Sequence, residues 1–355
     1  MRPNAARVLD LLRAAAGEGI SRLELAERTG LTPQAVSKIT ARLRSEGLAT
    51  EAGRRASTGG KPRTVLRLVP AAGHAVGLHL DRDELTGVLV DLAGTPVADR
   101  TFPLDFGAPA AEVLAGAQGA VAALRGLLGD GAGPVLGVGV AVPGPLDHWS
   151  GVLHRVTGFP RWDGYPLRDA LAARTGLPVV LDKDTNAAAL GLALRHPDHG
   201  DFAYLHLGTG LGAGLVLGGA VHRGPRTGAG EFGHQTLQLD GPPCTCGGRG
   251  CVEALCLAAV ARGDVPEAAR VLGAGAANLV GLLDIDRVVL GGRTVAAHRD
   301  AYVRGVHAVI EERARRSGAG APVPAVVAAG GDRPVAEGAA QLVLAPLFGR
   351  TGAGD

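Results

Sequence analysis

Aromatic residues are scarce in this chain of 355 residues: only 3% are Phe, Trp or Tyr, against 56 glycines. The glycine- and alanine-rich runs indicate a GC-rich coding bias, so counts of small residues are not used as functional evidence. No apolar run approaches the roughly 18 residues that a membrane-spanning helix needs. The first 17 residues alternate Arg and Asp with apolar residues, unlike the continuous apolar region of a signal peptide. We therefore predict a soluble, cytoplasmic protein of two or three domains with no membrane partner.

Cysteine is also rare, and its four copies all lie between Cys244 and Cys256. This clustering excludes a disulfide scaffold and is typical of a metal site in a reducing compartment. Three thiolates and one imidazole form the closed tetrahedral shell of a structural zinc ion, which is the predicted cofactor. The alternative is a loop with incidental cysteines. The predicted metal ligands are His234, Cys244, Cys246 and Cys251.

The small net charge of +2 hides an asymmetry between the two ends of the chain. Residues 1–70 carry 13 Lys and Arg against 6 Asp and Glu, whereas the other 285 residues carry 23 against 28. A basic head on a mildly acidic body indicates that the head binds a polyanion.

An amphipathic pattern over residues 3–16 predicts the first helix of the head, and capping signals predict two more. Ser21-Arg22-Leu23-Glu24 forms a capping box for the second helix. Thr32 as N-cap and Pro33 at the first helical position begin the third, whose buried face is predicted at Val36, Ile39 and Leu43. Two strands around residues 53–63 then make a wing. This pattern predicts a winged helix-turn-helix that binds operator DNA through its third helix and wing; a solvated three-helix module that binds protein is the alternative. The predicted DNA contacts are Thr32, Gln34, Ser37, Lys38, Arg42, Arg54, Arg55, Lys61 and Arg63.

The remaining sequence alternates predicted strands and helices, which indicates an α/β body. Glu-x-Gly-His at 231–234, followed by Cys-x-Cys-Gly-x-x-Gly-Cys-x-Glu at 244–253, resembles the ROK family of repressors, open reading frames and sugar kinases. The resemblance extends over essentially the whole chain and implies a winged helix-turn-helix followed by a two-lobed, actin-like (ribonuclease-H-like) sugar-kinase-type body. The expected domains are residues 1–70, 71–187 and 188–355. The Thr-Gly-Gly-Lys-Pro segment at 58–62 is similar to the wing of ROK repressors, which kinases of the family lack.

The resemblance also implies a sugar site. Residues 181–188, Leu-Asp-Lys-Asp-Thr-Asn-Ala-Ala, place Asp184 at the position of the family's catalytic aspartate. Lys183 stands where the family has Asn, and Gly158 where a second Asn is expected. Lys183 is either a solvent-facing or Asp182-paired lysine, or a cation added for a phosphorylated or acidic sugar. The implied sugar-binding residues are Lys183, Asp184, Glu231, His234 and Glu253. The segment between Glu253 and Val271 is shorter than in the family. The resemblance therefore does not predict the geometry of the oligomer.

The first phosphate loop departs from the kinase pattern. Where family kinases have Asp-x-Gly-Gly-Thr, this chain reads His79-Leu80-Asp81-Arg82-Asp83. Two glycines are replaced by side chains, and two new carboxylates would repel phosphate. The second loop, Gly208–Gly214, matches the family, but a glycine loop alone is weak evidence for a nucleotide.

These observations predict a sugar-responsive DNA-binding regulator, most simply a repressor, that binds a sugar or sugar derivative without phosphorylating it. We expect a homodimer or a dimer of dimers because operators have paired half-sites. One alternative is an ATP-dependent hexose kinase with a DNA-binding head. Another is a constitutive DNA-binding protein with a fossil pocket. The sequence leaves open the sugar, the operator and the sign of regulation.

Overall fold

The computed structural model describes residues 2–57, 60–318, 320–328 and 333–350. Its N-terminal part confirms the winged helix-turn-helix. Three helices pack beside a small sheet of strand order β1-β3-β2. The elements are α1 (Pro3–Ala14), β1 (Ile20–Ser21), α2 (Arg22–Thr29), α3 (Pro33–Ser45), β2 (Ala49–Ser57) and β3 (Gly60–Leu68).

The caps form as the sequence predicts. The Glu24 amide donates to Ser21 Oγ at 3.3 Å, and the Ser21 amide donates to Glu24 Oε2 at 2.7 Å. Of the predicted buried face of α3, Val36 and Leu43 are fully buried and Ile39 packs partly buried against the same core, and Thr40 is fully buried as well. Thr40 can be buried because its hydroxyl donates to the Ser37 carbonyl at 3.2 Å, which satisfies its polar group.

The first lobe of the body is a five-stranded sheet of order β10-β7-β4-β5-β6, with helices α4 and α5 packed against it. Strands β4, β5 and β6 form an antiparallel meander. Strand β7 runs parallel to β4, and β10 runs parallel to β7. The elements are β4 (His74–Leu80), β5 (Glu84–Asp91), β6 (Pro96–Pro103), α4 (Ala110–Arg125), β7 (Val135–Val142), β8 (Leu146–Asp147), β9 (Val152–Leu153), α5 (Leu167–Thr175) and β10 (Val179–Lys183).

The second lobe repeats this topology in a sheet of order β13-β12-β11-β14-β15. It again has an antiparallel meander on one side of its first strand and two parallel strands on the other. Two lobes of the same topology are the two-lobed actin-like architecture. The elements are α6 (Asp184–Arg195), β11 (Phe202–Leu207), β12 (Leu211–Leu217), β13 (Ala220–Val221), α7 (Val252–Ala261), α8 (Val265–Leu283), β14 (Arg287–Gly291), α9 (Arg293–Ala297), α10 (Arg299–Ser317), β15 (Ala325–Val327) and α11 (Pro334–Leu344).

The lobes exchange one helix each. Helix α6 follows the last strand of the first sheet but packs on β12 of the second, whereas α11 follows the second sheet and packs on β4 and β7 of the first. The two helices also pack on each other, at a point where a Cβ on Gly338 would overlap the Ala187 carbonyl oxygen. The expected boundary at residue 187 falls inside α6, so α6 links the lobes rather than belonging to one of them.

The head shares a hydrophobic core with the body. Val8, Leu9 and Leu12 of α1 are buried in one cluster with Val90 of β5 and Leu344 of α11. The turn after α11 completes this contact, because Arg350 Nη2 lies 2.8 Å from Asp10 Oδ2 and the Arg13 guanidinium lies 4.1 Å from the Phe348 ring centroid. The head is therefore docked on the first lobe and on the end of the chain.

In the ranges given above, no helix is both long enough and apolar enough to cross a membrane.

Replacing Gly139 tests the close packing of α11 on the first sheet. A Cβ at Gly139 would overlap the Ala339 carbonyl oxygen, so Gly139→Ala should lower the free energy of unfolding by about 1–3 kcal/mol, the usual cost of overpacking. Gly119 in α4 is the matched control because nothing lies within 4 Å of its Cβ position. Gly119→Ala should stabilise by roughly 0.5–1 kcal/mol. Urea denaturation measures both, and equal midpoints for the two variants would contradict the packing.

Candidate functional site

A cleft between the two lobes gathers the residues predicted to bind sugar. About 660 Å³ of this cleft holds no protein atoms. Lys183, Asp184, Glu231, His234 and Glu253 all line it, together with Asp81 and Arg82 of the first loop and His206, Thr209 and Gly210 of the second lobe. One ligand in the cleft would therefore touch both lobes.

Each of these side chains stands at the end of an element. Lys183 ends β10 and Asp184 begins α6, while Glu253 lies in the first turn of α7. Glu231 follows Gly230, whose φ of +84° and close approach to the Ala213 carbonyl leave no room for a side chain. Positions at element ends allow charged groups to face the cleft while the strands and helices stay in the core.

Asp184 is half-buried in the cleft, and burial raises its pKa. Its Oδ1 accepts a hydrogen bond of 2.6 Å from the Thr185 amide. This bond fixes the carboxyl group at the N-terminus of α6, where the helix dipole favours a negative charge.

Lys183 is buried, with 3% of its side chain exposed, and its ammonium is neutralised inside the cleft. Nζ donates to Glu231 Oε1 at 2.8 Å and to the Ala229 carbonyl at 2.7 Å. The interpretation of Lys183 as a solvent-facing or Asp182-paired lysine was therefore wrong. Asp182 instead accepts the backbone amide of Lys183.

Asp182 is a buried residue that the sequence interpretation left without a role. It is 1% exposed and accepts from Asn186 Nδ2 at 2.9 Å and from Arg223 Nε at 2.7 Å. This network holds the turn from β10 into α6 and so positions Lys183 and Asp184. Its signal in the sequence is an acidic residue directly after the apolar run Val179–Leu181.

The carboxylates of the first loop bond across the cleft to the second lobe. Thr209 Oγ1 donates to Asp81 Oδ1 at 3.0 Å, and Arg293 Nη2 lies 2.9 Å from Asp83 Oδ2. Beside them, burial lowers the pKa of His79 to about 4, which keeps this histidine neutral. The sequence identified the two aspartates but not their partners.

The second glycine loop is shorter than predicted. Strand β12 begins at Leu211, so only Gly208, Thr209 and Gly210 connect it to β11. The Leu211 amide donates to Glu253 Oε2 at 2.8 Å, which ties this turn to α7.

The predicted zinc ligands converge at one point. One ligand atom from each of His234, Cys244, Cys246 and Cys251 lies within 4.8 Å of all the others. His234 Nδ1 is 3.7 Å from Cys244 Sγ, and the sulfurs of Cys246 and Cys251 are 3.8 Å apart. Tetrahedral zinc with bonds of about 2.3 Å sets its sulfurs about 3.8 Å apart, so this geometry fits the ion. Cys256 lies outside the cluster and donates to the Ala268 carbonyl.

The predicted DNA face of α3 is open to solvent at Gln34, Ser37, Lys38 and Arg42. Arg42 Nε lies 2.7 Å from Glu46 Oε1 in an i,i+4 pair, and the Thr32 hydroxyl accepts the Ala35 amide as the helix cap. Arg63 on the wing is exposed. The side chains of Arg54, Arg55 and Lys61 lie outside the described residues.

Sequence comparison decides the family. The family model described as ROK matches residues 75–262, and a model of winged helix-turn-helix DNA-binding domains matches residues 1–50. The chain belongs to the ROK family.

Among ROK relatives, the xylose repressor of Bacillus subtilis is 30% identical over 238 residues, 66% of this chain and 61% of that protein. The chain thus spans about three fifths of the length of that repressor. A ROK glucokinase from Streptomyces griseus, solved with glucose and AMPPNP, is 27% identical with a TM-score of 0.62 and covers 76% of this chain and 99% of that chain.

A full-length structural match comes from a ROK family transcriptional regulator, a homolog of the E. coli MLC protein. It has a TM-score of 0.78 and covers 97% of this chain and 96% of that chain, at 23% identity. At this identity the match establishes the fold, including the head on the two-lobed body.

Proposed function

We propose that this chain is a ROK transcriptional repressor whose body binds a sugar or sugar derivative without phosphorylating it. The observation that carries the proposal concerns α6 and α11, which pack on each other. Helix α6 starts at the cleft, and the DNA-binding head docks where α11 ends. Xylose repressors among the relatives support repression as the sign of regulation. Paired operator half-sites support a homodimer or a dimer of dimers.

A continuous path leads from the cleft to the head. Helix α6 begins at Asp184 in the cleft, and Arg195 at its other end pairs with Glu337 of α11. Helix α11 leads into residues 345–350, which contact α1 of the head. A sugar that binds the closed lobes more tightly than the open ones would move this helix pair and shift the head.

The contacts of the first loop argue against the kinase alternative. Phosphoryl transfer needs backbone amides and a metal to hold nucleotide phosphates. Here Asp81 and Asp83 replace a glycine and a threonine of the kinase loop, and both carboxylates bond to the second lobe. These bonds join the lobes where a kinase would place nucleotide phosphates, and they occupy the loop with side chains where the kinase loop offers backbone amides.

Asp184→Asn tests the sensor role. The variant should bind sugar about 1–3 kcal/mol more weakly, the scale of a hydrogen bond to a charged group, and release from DNA should need proportionally more sugar. Calorimetry against a sugar panel measures the affinity, and DNA-binding assays with added sugar measure release. Asp130→Asn is the control, because Asp130 is exposed on the first lobe and does not line the cleft.

Three outcomes would contradict this proposal. Sugar-dependent ATP consumption by the unmodified protein, lost in Asp184→Asn, would favour the kinase. Absence of sugar binding by the unmodified protein would favour a constitutive DNA-binding protein. Equal sugar affinity in Asp184→Asn and Asp130→Asn would remove Asp184 from the site.

The Cys and His cluster is proposed to hold one structural zinc ion. Through His234, which also lines the cleft, the ion would fix one wall of the sugar site. Cys246→Ser should lose about one metal equivalent and lower the melting temperature, because bound zinc contributes directly to folding. Cys256→Ser is the control and should retain its zinc. Elemental analysis that finds no zinc in the unmodified protein would refute the site.

In the head, Lys38 and Arg63 should contribute differently to DNA binding. Lys38→Ala should cost about 1–3 kcal/mol on a selected operator and relax sequence preference, as expected for a base contact. Arg63→Ala should weaken binding to all DNA sequences. It should also reduce the slope of log affinity against log salt concentration by about one, as expected for a phosphate contact. Binding titrations on operator and random DNA at several salt concentrations separate the two. Unchanged affinity in both variants would place the DNA contact elsewhere.

A further inference from the structure

Arg82 is a cation in the cleft without an acidic partner among the residues that the structure describes. Its side chain is half-buried and lines the cleft. The guanidinium carbon lies 5.6 Å from the centroid of the Phe159 ring, a cation–π distance that supports the group without neutralising it. An unpaired guanidinium in a ligand cleft offers up to five N–H donors to a ligand.

The loop around Arg82 holds it in place. The Arg82 amide donates to Asp81 Oδ1 at 2.7 Å, and the Arg82 carbonyl accepts the Phe106 amide at 3.0 Å. The flanking carboxylates are occupied across the cleft by Thr209 and Arg293. Neither carboxylate therefore pairs with the guanidinium between them.

Arg82 and Gly158 are two departures from the kinase sequence, and they meet at this point. A Cβ on Gly158, which stands where the family has Asn, would lie 3.9 Å from Arg82 Nη1. A Cβ on Gly210 of the second lobe would lie 3.4 Å from Arg82 Nη2. The guanidinium thus reaches from the first lobe to the second. Gly158 leaves space for it because a glycine has no side chain.

The other charged groups of the cleft have partners. Lys183 pairs with Glu231, and Glu253, Asp81 and Asp184 accept hydrogen bonds from the Leu211 amide, the Thr209 hydroxyl and the Thr185 amide. Among the described residues that line the cleft, Arg82 is the cation with no acidic partner, and it lies in the loop that approaches nucleotide phosphates in the kinases of the family.

We propose that Arg82 binds an anionic substituent, a phosphate or a carboxylate, on the effector sugar. The guanidinium makes two parallel hydrogen bonds to either group, which the neutral sugar cannot accept in the same way. Arg82 and Asp184 line the same cleft, so an anionic sugar can occupy the site proposed for a neutral sugar. This inference rests on the proposed sugar-sensing function and specifies its ligand class.

Matched ligand pairs test the proposal on the full chain. Calorimetry compares glucose and mannose with their 6-phosphates, xylose with its 5-phosphate, and glucose with glucuronate. For at least one pair, the anionic sugar should bind at least about tenfold more tightly than the neutral sugar, as expected for a charge-assisted hydrogen bond. The phosphate and glucuronate arms distinguish the two anions. Inorganic phosphate should compete with the preferred ligand if the anion is a phosphate.

Variants assign the preference to Arg82. Arg82→Gln should remove the preference for the anionic sugar, and Arg82→Lys should restore part of it as a point charge. Arg155→Gln is the matched control, because Arg155 is an arginine of the same lobe with 89% of its side chain exposed, outside the cleft. Thermal melting checks that each variant is folded.

Each remaining outcome overturns the proposal. Neutral sugars that bind and release DNA, with no anionic sugar favoured, would refute the role of Arg82 and leave sugar sensing intact. An equal loss of neutral and anionic binding in Arg82→Gln would make Arg82 a hydroxyl contact. Retention of the anionic preference in Arg82→Gln would place the anion elsewhere. No binding of any sugar would refute both this inference and the proposed function.

Discussion

The close crossing of α6 and α11 is the constraint on which the rest of the structure depends. Gly338 meets the Ala187 carbonyl there, and Gly77 and Gly139 let α11 lie directly on the first sheet. Close packing of this kind transmits displacement from one helix to the other. Helix α6 starts in the cleft and α11 ends beneath the head, so their crossing connects the cleft, the two lobes and the head.

Charge pairing in the cleft separates this chain from a kinase site while keeping the same scaffold. The buried ammonium of Lys183 pairs with the exposed carboxylate of Glu231, and Asp81 and Asp83 bond to the opposite lobe. A buried charge is tolerated only when it is paired or hydrogen-bonded, so Lys183 at this position needs its partner. The result is a cleft whose lobes are bridged by protein groups. Under the proposed function, this arrangement would serve ligand binding rather than phosphoryl transfer.

The sequence analysis identified local features reliably. Capping at Ser21 and Thr32, the alternation of strands and helices in the body, and the Cys and His cluster depend on neighbouring residues and could be derived from spacing. It left open what only a distant partner could decide. Lys183 can be buried because Glu231, 48 residues away in the chain, accepts a hydrogen bond from its ammonium.

The sequence by itself determined the ROK family, the order of head and body, and the helix caps of the head, because these follow from motifs and short-range periodicity. Only the tertiary structure decided that α6 and α11 exchange lobes, that the head shares the core of the body, and that Arg82 lies beside Gly158 with no acidic partner among the described residues. Each of these depends on contacts between residues far apart in the chain, whose distances and hydrogen bonds arise only when the lobes pack together.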